Sequence, residues 1–435
     1  MQSNRLTRRS FLKHTAVAAV AAPYVISAAA LGAAGRPSPS NRVAVGLIGV
    51  GGEGTKNLRC YLTQPDAQAV AVCEVDPQRL AKAKQTVETH YAAEMRAGGY
   101  KGCDTTADFR DLIARPDIDS VMISTPDHWH VLISVMAIRA GKDVQCEKPF
   151  LTVQQGRFLA DTVKRYGAVF QTSTEDRSLA VYHRMAELVR NGRIGKLQRI
   201  IVGLPSGPGA PGDPTPQPVP EGFDYEMWLG PAPWAPYCSA RTHWNFRWIF
   251  DYSGGMLPDW GCHLFDTAQW GNDTDRSGPV EVEGVGERHT GGLYDTFYKF
   301  NLTYRYANGV EMTADSSGPA IRFEGTDGWV GNKGWTAPVQ ASSPEILHSV
   351  IGPGELHLFT CPAGEHRNFL DCVKTRNDPY FPAEIGHRVS TLSHIGNAAM
   401  TLGRKLRWNP DAEQFVDDPE ANRYLSRAMR APWHL

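Results

Sequence analysis

The sequence predicts an α/β protein whose first half forms a parallel sheet layered with helices and whose second half carries a large, mostly antiparallel, open sheet. Apolar, β-branched runs such as 43–48 and 120–124 alternate with helical periodicity up to residue 175, which is typical of βαβ units. Short alternating strands at 281–287, 296–306 and 310–315 predict the second sheet.

The turn after the first strand carries a G-x-G-x-x-G pattern at Gly49, Gly51 and Gly54. The first glycine permits a tight turn, the second lets the backbone approach a pyrophosphate, and the third lets the following helix pack close to the strand. Val50 and Gly52 complete the turn, and a helix beginning near Gly52 would direct its free N–H groups at phosphates. The pattern therefore predicts a dinucleotide-binding turn.

A second apolar strand, 69–73, ends in Glu74, twenty residues beyond Gly54. An acid at this spacing accepts hydrogen bonds from the ribose diol of adenosine. Since a carboxylate repels a 2′-phosphate, we expect NAD rather than NADP as the cofactor. Asp76, two residues later, favours the same choice.

The remaining periodicity predicts helices at 77–97, 104–115, 179–191, 366–374 and 383–404. Asn308-Gly309 predicts a tight hairpin between two strands of the second sheet. The segment 203–222 is dense in glycine and proline, so it predicts an irregular loop.

Composition describes an ordinary globular chain that is long enough for two domains. The 435 residues include 42% hydrophobic and 21% charged residues, with a formal net charge of −1. This balance gives no reason to expect nucleic acid or an anionic membrane as a partner. The eight cysteines form no C-x-x-C pair, so neither a zinc site nor a dense disulfide framework is indicated.

The first 35 residues are typical of a twin-arginine signal peptide. Arg8 and Arg9 precede an alanine-rich stretch that Pro23 interrupts, and its short apolar core argues against a permanent membrane anchor. We therefore expect export through the twin-arginine machinery, to the periplasm or beyond. The predicted domains are a signal peptide at 1–35, a dinucleotide-binding domain at 41–175 and a substrate and oligomerisation domain at 176–435.

Two strand ends of the first sheet carry polar residues. The strand at 120–124 runs into T-P-D-H-W-H, which contains Thr125 and His130, and the next strand runs into Glu147-Lys148-Pro149. Strand ends on this side of a doubly wound sheet meet the cofactor. A partly buried Lys148 beside a nicotinamide would have a lowered pKa and relay a proton, whereas the alternative is a solvated surface lysine.

Asp259 and His263 are four residues apart, so on a helix they share one face. A carboxylate there can orient the imidazole and raise its basicity, so that the pair removes a hydroxyl proton. The alternatives are a surface Asp–His pair or two ligands of a metal. No third ligand is spaced to complete a metal site, so we expect acid–base chemistry and no metal.

The run 241–248 interleaves aromatic residues with arginine and asparagine. Sugar faces stack on aromatic rings and sugar hydroxyls bond to polar groups, so this run suits a sugar-binding surface. Burial at a domain or subunit contact is an equal alternative, because Trp and Arg are also enriched at interfaces.

Together these motifs resemble the Gfo/Idh/MocA family, which includes glucose–fructose oxidoreductases and inositol dehydrogenases. The glycine turn, the acid at Glu74, T-P-D-H-W-H, the E-K-P around Lys148 and the Asp259/His263 pair carry the resemblance, which covers essentially the whole mature chain. It implies a Rossmann domain that binds NAD(P), a second α/β domain with an open sheet, sugar or polyol substrates, and a homodimer or homotetramer.

The resemblance also implies roles for individual residues. Lys148 would contact the nicotinamide ribose and the substrate hydroxyl, and His263, oriented by Asp259, would be the acid/base. His130 would lie near the nicotinamide. The residues expected to line the substrate pocket are Arg177, Trp244, Arg247 and Trp248.

Export conflicts with a dehydrogenase that releases reduced cofactor at each turnover, because free NAD is scarce outside the cell. One resolution is a tightly bound cofactor that carries hydride from one sugar to another. A second is a redox-neutral cleavage of a glycosidic bond, as in NAD-dependent glycosidase relatives. These usually vary the E-K-P lysine, so the intact Lys148 favours the first. A non-catalytic carbohydrate-binding relative is a third alternative.

Overall fold

The computed structural model describes residues 37–435. The predicted signal peptide, with Arg8 and Arg9, lies outside the described residues. Residues 43–435 form one compact unit that holds both sheets. Within 37–435, no helix combines the length and the apolar character that crossing a membrane requires.

Six parallel strands form the first sheet, in the order β3-β2-β1-β4-β5-β6. Its strands are β1 (Val43–Ile48), β2 (Ala67–Cys73), β3 (Asp104–Thr106), β4 (Ser120–Ile123), β5 (Asp143–Glu147) and β6 (Phe170–Ser173). The helices that connect them are α1 (Gly52–Leu62), α2 (Pro77–His90), α3 (Ala92–Arg96), α4 (Phe109–Ile113), α5 (Asp127–Arg139) and α6 (Val153–Tyr166). The central strand β4 is buried along its whole length, as expected for a strand with helices over both faces.

Two predicted elements of this half are wrong in detail. The segment 104–115, predicted as one helix, is the edge strand β3 followed by α4, and Asp104 pairs with Ala71 of β2. A three-residue edge strand is too short to show the alternation that identifies a strand. The predicted helix 77–97 divides at Tyr91 into α2 and α3.

Nine strands form the second sheet, in the order β13-β12-β11-β7-β10-β9-β8-β14-β15. They are β7 (Leu197–Gly203), β8 (Glu281–Glu287), β9 (Lys299–Arg305), β10 (Glu311–Asp315), β11 (Ala320–Gly325), β12 (Trp329–Gly331), β13 (Gln340–Ala341), β14 (Leu406–Asn409) and β15 (Gln414–Phe415). Among the neighbouring strands that the structure describes in this second sheet, only β7 and β10 run parallel to each other. The predicted mostly antiparallel sheet is therefore confirmed. Gly309, at φ +87°, turns the predicted hairpin between β9 and β10.

The second half of the chain also carries helices. They are α7 (Ala180–Arg190), α8 (Tyr225–Leu229), α9 (Met256–Asn272), α10 (Pro344–Leu347), α11 (Glu365–Thr375), α12 (Ala383–Leu402) and α13 (Pro419–Asn422). Phe265 of α9, Leu392 of α12 and Tyr304 of β9 belong to one buried core, and the Tyr304 hydroxyl donates to the Leu392 carbonyl at 3.0 Å. This packing fixes α9, the helix that carries Asp259 and His263.

Helix α11 packs against the first sheet although it follows the second sheet in sequence. Its Phe369 and Leu370 are fully buried in the same core as Val43 and Leu58. The Arg367 guanidinium pairs with Asp66, the residue before β2, at 2.6 Å. The first residue of α11, Glu365, accepts a hydrogen bond at its carbonyl oxygen from Gln171 of β6 at 3.0 Å, so this end of the helix lies near the carboxyl end of β6.

Candidate active site

A cavity of about 750 Å³ lies where β1, β2, β4, β5 and β6 end, between the first sheet and the residues around α9. We call it the main cavity. This is the edge of a doubly wound sheet at which ligands bind. Among the predicted cofactor residues, those that line it are Gly49, Gly51, Gly52, Glu74, Thr125, His130, Glu147 and Lys148.

The glycine turn has the geometry that its sequence predicts. Gly49 has φ +80°, and a Cβ there would lie 2.7 Å from the Ser124 carbonyl oxygen. A Cβ on Gly54 would lie 2.0 Å from the Gly49 carbonyl oxygen, so the third glycine is needed for close packing of α1 on β1. No side chain caps α1, so its first N–H groups face the main cavity without a side-chain acceptor. These features fit a pyrophosphate.

Glu74 is fixed at the end of β2 by backbone donors. One carboxylate oxygen accepts from the Val50 N–H at 2.9 Å, and the other accepts from the Val75 N–H at 2.9 Å and the Asp76 N–H at 3.2 Å. Burial raises the pKa of Glu74, although the N–H groups of Val50 and Asp76 oppose this shift. The guanidinium of Arg79 lies beside Gly51 at the same end of the cavity. The Glu74 carboxylate and the positively charged Arg79 guanidinium thus lie beside the expected position of the adenosine ribose.

Lys148 forms an ion pair with Asp259 instead of standing free. Its ammonium lies 2.8 Å from the Asp259 carboxylate and 2.7 Å from the Asp259 carbonyl oxygen, and Arg247 contacts the same carboxylate at 3.2 Å. Burial by itself lowers the pKa of Lys148, but Asp259 and Glu147 outweigh burial and raise it. The expected lowered pKa of Lys148 is therefore wrong, and the side chain is a fixed cation.

His263 takes its carboxylate partner from outside its own helix. Its Nδ1 lies 2.9 Å from the carboxylate of Asp176, which is fully buried in the turn after β6. The expectation that Asp259 orients His263 is corrected, because Asp259 faces Lys148 and Arg247, and two cations attract a carboxylate more strongly than a neutral imidazole does.

Burial perturbs both members of the Asp176–His263 pair. It lowers the pKa of His263 to about 4 and raises the pKa of Asp176 well above its usual range. In the tautomer that carries the ring proton on Nδ1, the imidazole donates to Asp176, and Nε2 has a free lone pair that can act as a base.

His130 contacts the backbone that follows strands β4 and β5. Its Nδ1 lies 2.8 Å from the Pro149 carbonyl oxygen and its Nε2 lies 2.8 Å from the Thr125 carbonyl oxygen. Burial lowers the pKa of His130 to about 4, so it is neutral at physiological pH and donates to only one of these carbonyls. With both nitrogens facing backbone oxygens, His130 positions the loops that line the cavity and has no free atom for proton transfer.

Several carboxyl groups that the motifs did not indicate also line the main cavity. Asp127 accepts from the Ser253 hydroxyl, and burial raises its pKa to about 7. Glu175 lies 3.9 Å from His263 Nδ1 and its side chain is half exposed. Glu365, at the start of α11, lines the cavity because α11 packs on the first sheet. Burial raises the pKa of Glu365 well above its usual range and that of Glu147 to about 8.

Aromatic side chains surround His263 on its cavity side. The Trp335 ring lies edge-on to His263 with centroids 5.0 Å apart, and edge-on to Trp260 at 5.1 Å. Both tryptophans line the main cavity. Trp260 stands next to Asp259 in sequence, but Trp335 comes from the loop between β12 and β13, and no pattern in the sequence marks it.

The predicted substrate residues divide into two groups. Trp244 and Arg247 line the main cavity, and the guanidinium of Arg247 stacks 4.1 Å from the Trp244 ring centroid. Arg177 does not line it, because its guanidinium is buried in ion pairs with Asp266 and Asp275. Trp248 is buried in the core of the second half. The predictions of Arg177 and Trp248 as substrate contacts are therefore corrected.

Family models match both halves of the chain. Residues 43–174 match the NAD-binding Rossmann fold of the Gfo/Idh/MocA oxidoreductase family, and residues 212–435 match the C-terminal alpha/beta domain of that family. The predicted domain boundaries remain a prediction beside these matched ranges.

Curated relatives carry two kinds of name. A glycosyl hydrolase family 109 protein from Stenotrophomonas maltophilia is 28% identical over 280 residues, which cover 61% of this chain and 56% of the relative. A levoglucosan dehydrogenase from Pseudarthrobacter phenanthrenivorans is 31% identical over 158 residues, which cover 35% of this chain and 38% of the relative. The matched stretch is only 26% of the length of another family 109 protein, from Shewanella pealeana.

Solved structures share the fold at low sequence identity. An aldose–aldose oxidoreductase from Caulobacter crescentus, complexed with glycerol, superposes with a TM-score of 0.61 at 18% identity, over 84% of this chain and 99% of that chain. A levoglucosan dehydrogenase in complex with NADH and L-sorbose gives the same TM-score, identity and coverage. With both family models matched and the glycine turn open to a pyrophosphate, the chain belongs to the Gfo/Idh/MocA family of oxidoreductases with an NAD-binding Rossmann fold.

Proposed function

We propose that this oxidoreductase transfers hydride between a hydroxyl-bearing carbon of a sugar or polyol and a tightly bound NAD. The position of His263 carries the proposal: its imidazole lines the main cavity, is held by Asp176, and lies near the Lys148–Asp259 ion pair. A base and a fixed cation at one end of such a cavity suit removal of a hydroxyl proton while the carbon loses hydride.

His263 is the proposed proton acceptor. With the ring proton on Nδ1, where the Asp176 carboxylate accepts it, Nε2 can accept the proton of a substrate hydroxyl. Lys148 would donate a hydrogen bond to the same oxygen and stabilise the negative charge that develops on it. Asp259 and Arg247 hold the ammonium in place, so Lys148 polarises the hydroxyl and His263 moves the proton.

The residues of the first half fit a dinucleotide. The glycine turn and the N-terminus of α1 would hold the pyrophosphate, and the Glu74 carboxylate would accept hydrogen bonds from the ribose hydroxyls. Thr125, His130 and Glu147 line the cavity between this end and Lys148. A bound nicotinamide would supply the hydride acceptor.

The aromatic wall suits a sugar ring. Trp260 and Trp335 present ring surface next to the proposed base, and Trp244 with Arg247 lies at another edge of the cavity. Sugar C–H faces pack on such rings, while the Glu175 carboxylate can accept hydrogen bonds from hydroxyls.

Spectroscopy on the purified holoprotein tests this function. Sugars and polyols are added singly, and the absorbance band of reduced nicotinamide is followed without added cofactor. We expect a suitable sugar to raise this band and a carbonyl acceptor to reverse it, and the His263→Ala protein to show neither change. An unaltered band with every sugar, in protein shown to contain NAD, would contradict the proposal.

A second candidate is redox-neutral cleavage of a glycosidic bond, which the matches to glycosyl hydrolase family 109 proteins favour. A transient oxidation, an elimination that expels the aglycone, the addition of water to the resulting double bond and the return of hydride would cleave the glycoside with no net change in the cofactor. Chromatography of aryl glycosides incubated with the holoprotein separates the two: release of the aglycone without an acceptor supports cleavage.

We further propose export in the folded state with the cofactor already bound. The support is the twin-arginine motif at Arg8 and Arg9, together with the scarcity of free NAD outside the cell. Protein isolated from the periplasm should carry near-stoichiometric NAD that survives dialysis. Changing Arg8-Arg9 to Lys-Lys should leave active protein in the cytoplasm. Periplasmic apoprotein that works only with added NAD would contradict retention.

We also propose a homo-oligomer assembled through the open face of the second sheet. This face is charged: Arg305 pairs with Glu283 at 2.6 Å and with Glu311 at 3.4 Å. Exposed ion pairs are weakened by salt, so assembly through them should respond to ionic strength. Light scattering after gel filtration at low and high salt measures this, and a monomer under both conditions would contradict the proposal.

A further inference from the structure

Segment 427–435, which no step of the proposed reaction uses, packs over the outside of the main cavity. It returns from the second half to the first: Arg427 donates to the Ser253 carbonyl oxygen at 3.3 Å, and Trp433 and Leu435 pack against the core of the first sheet. The segment therefore contacts both halves of the chain.

Trp433 backs two side chains that line the cavity near Glu74. Its ring lies edge-on to Trp129 of α5, with centroids 4.8 Å apart, and 6.2 Å from the ring of Phe109 of α4. Arg110 covers it with its guanidinium 5.5 Å from the ring centroid. Trp129 and Phe109 line the main cavity, whereas Trp433 does not. Trp433 thus lies directly behind that wall.

Residues of the second half of the chain also contact Trp129. Its indole N–H donates to the carbonyl oxygens of Met227 and Trp228, both at 3.1 Å. A Cβ on Gly230 would lie 2.0 Å from the indole ring, so the ring lies directly on the backbone there. Moving Trp129 outward therefore requires Trp433 to leave.

Arg430 fixes the segment to the same part of the second half. Its backbone N–H donates to the Pro231 carbonyl oxygen at 2.8 Å, its side chain donates to the Gly230 carbonyl oxygen at 3.0 Å, and it pairs with Glu226. The Trp433 N–H in turn donates to the Arg430 carbonyl oxygen at 3.0 Å. The segment thus joins α8 and the residues after it, which hold the Trp129 indole, to the helices α4 and α5.

We propose that Trp433 is a positioning residue for cofactor retention: through Trp129 and Phe109 it holds closed the wall of the main cavity beside Glu74. This inference rests on the proposed function, in which the cofactor stays bound. Loss of the Trp433 contacts loosens this wall beside the bound dinucleotide and so speeds its dissociation. Because Trp433 is remote from His263, its loss changes cofactor release and leaves the chemistry of the proton transfer intact.

The test measures the rate at which purified full-length protein releases NADH. The release is monitored through the fluorescence of NADH after the protein is mixed with excess NAD. We expect Trp433→Ala to release NADH about tenfold faster than the natural protein or more, since such changes act mainly on dissociation. Arg430→Ala should shift release in the same direction. His434→Ala, an exposed neighbour, is the matched control and should release NADH at the natural rate.

Trp433→Phe keeps an aromatic ring against Trp129 and should stay close to the natural rate, which separates wall contact from loss of folding. Equal release rates for Trp433→Ala, Arg430→Ala and the natural protein would overturn the inference. Sugar oxidation is measured separately: if no sugar is oxidised by natural protein that binds NADH, the proposed function fails, while the release rates still decide the role of Trp433.

Discussion

At the scale of single residues, the reaction centre pairs each charged or basic group with a partner from another part of the chain. Asp259 holds Lys148, and Asp176 holds His263, so the two carboxylates have separate tasks. One keeps a cation charged and the other fixes a proton on Nδ1. A lysine that stays protonated and a histidine that stays neutral are complementary in the proposed removal of a proton from a hydroxyl.

Replacing members of the His263 pair should separate chemistry from binding. His263→Ala is expected to lower kcat about 100-fold or more, the usual scale for loss of a general base. Asp176→Asn should also lower kcat by about 100-fold or more, because an amide can donate to Nδ1 and so place the ring proton on Nε2. NADH affinity, measured by fluorescence titration, should hardly change in either variant. Full turnover by His263→Ala would refute the assignment.

The pH dependence follows from the direction of the His263 shift. Only the neutral imidazole accepts a proton, and burial lowers the pKa of His263 to about 4. We therefore expect the acid limb of kcat/KM that belongs to His263 to fall as pH drops through about 4, well below the value of 6.5 for a free histidine. A plot of kcat/KM against pH checks this, and an acid limb that belongs to His263 near 6.5 would contradict it.

Glu74 should select NAD over NADP. Its carboxylate is fixed by three N–H groups at the end of β2, and its negative charge would repel a 2′-phosphate. We expect NADH to bind at least about tenfold more tightly than NADPH, equivalent to about 1.4 kcal/mol. Glu74→Ser, next to the existing Arg79, should narrow this difference. Fluorescence titration measures both affinities, and equal affinities in the natural protein would contradict the role of Glu74.

At the scale of elements, helix α11 shows how the second half completes the first. Its ion pairs with Asp66 lie at the start of strand β2, and its first residue, Glu365, lines the main cavity. Burial by itself raises the pKa of Asp66, but Arg367 and Lys374 outweigh it and lower the pKa to about 2. The carboxylate form therefore strengthens the attachment of α11.

This attachment should weaken in acid. Since the pKa of Asp66 is depressed on folding, its contribution is fully present above the unfolded value of about 4 and is lost as pH falls towards about 2. We expect Asp66→Asn to reduce the loss of stability between pH 6 and pH 3, measured by urea unfolding. Asp417→Asn, whose carboxylate is mostly exposed, serves as the control. An identical acid loss in the natural protein and Asp66→Asn would contradict this role.

Sequence patterns predicted elements whose signals are local and missed contacts that depend on tertiary packing. The glycine turn, the strand 281–287 and the hairpin at Gly309 were predicted because each depends on neighbouring residues. The Asp176–His263 pair was missed, since residues 87 apart in sequence meet only in the folded chain. The spacing of Asp259 and His263 correctly predicted a shared helix, but spacing does not show which charges lie opposite.

At the scale of the whole molecule, the two sheets are joined by elements that cross between them. Helix α11 and segment 427–435 come from the second half and pack against the core of the first sheet. Residues 43–435 accordingly form one compact unit. Neither sheet can lose its core without exposing apolar surface that belongs to the other half.

We therefore expect residues 43–435 to unfold in one cooperative transition, with far-ultraviolet circular dichroism and tryptophan fluorescence giving coincident curves. Phe369→Ala removes a fully buried ring of α11 and should destabilise the chain by about 3–5 kcal/mol without splitting the transition. Tryptophan fluorescence reports mainly on the second half. If Phe369→Ala acted only locally, the midpoint of the fluorescence curve would stay unchanged while the midpoint of the circular dichroism curve shifted. Two separated transitions would show that the halves fold independently, and α11 would then be a surface attachment instead of a shared part of both cores.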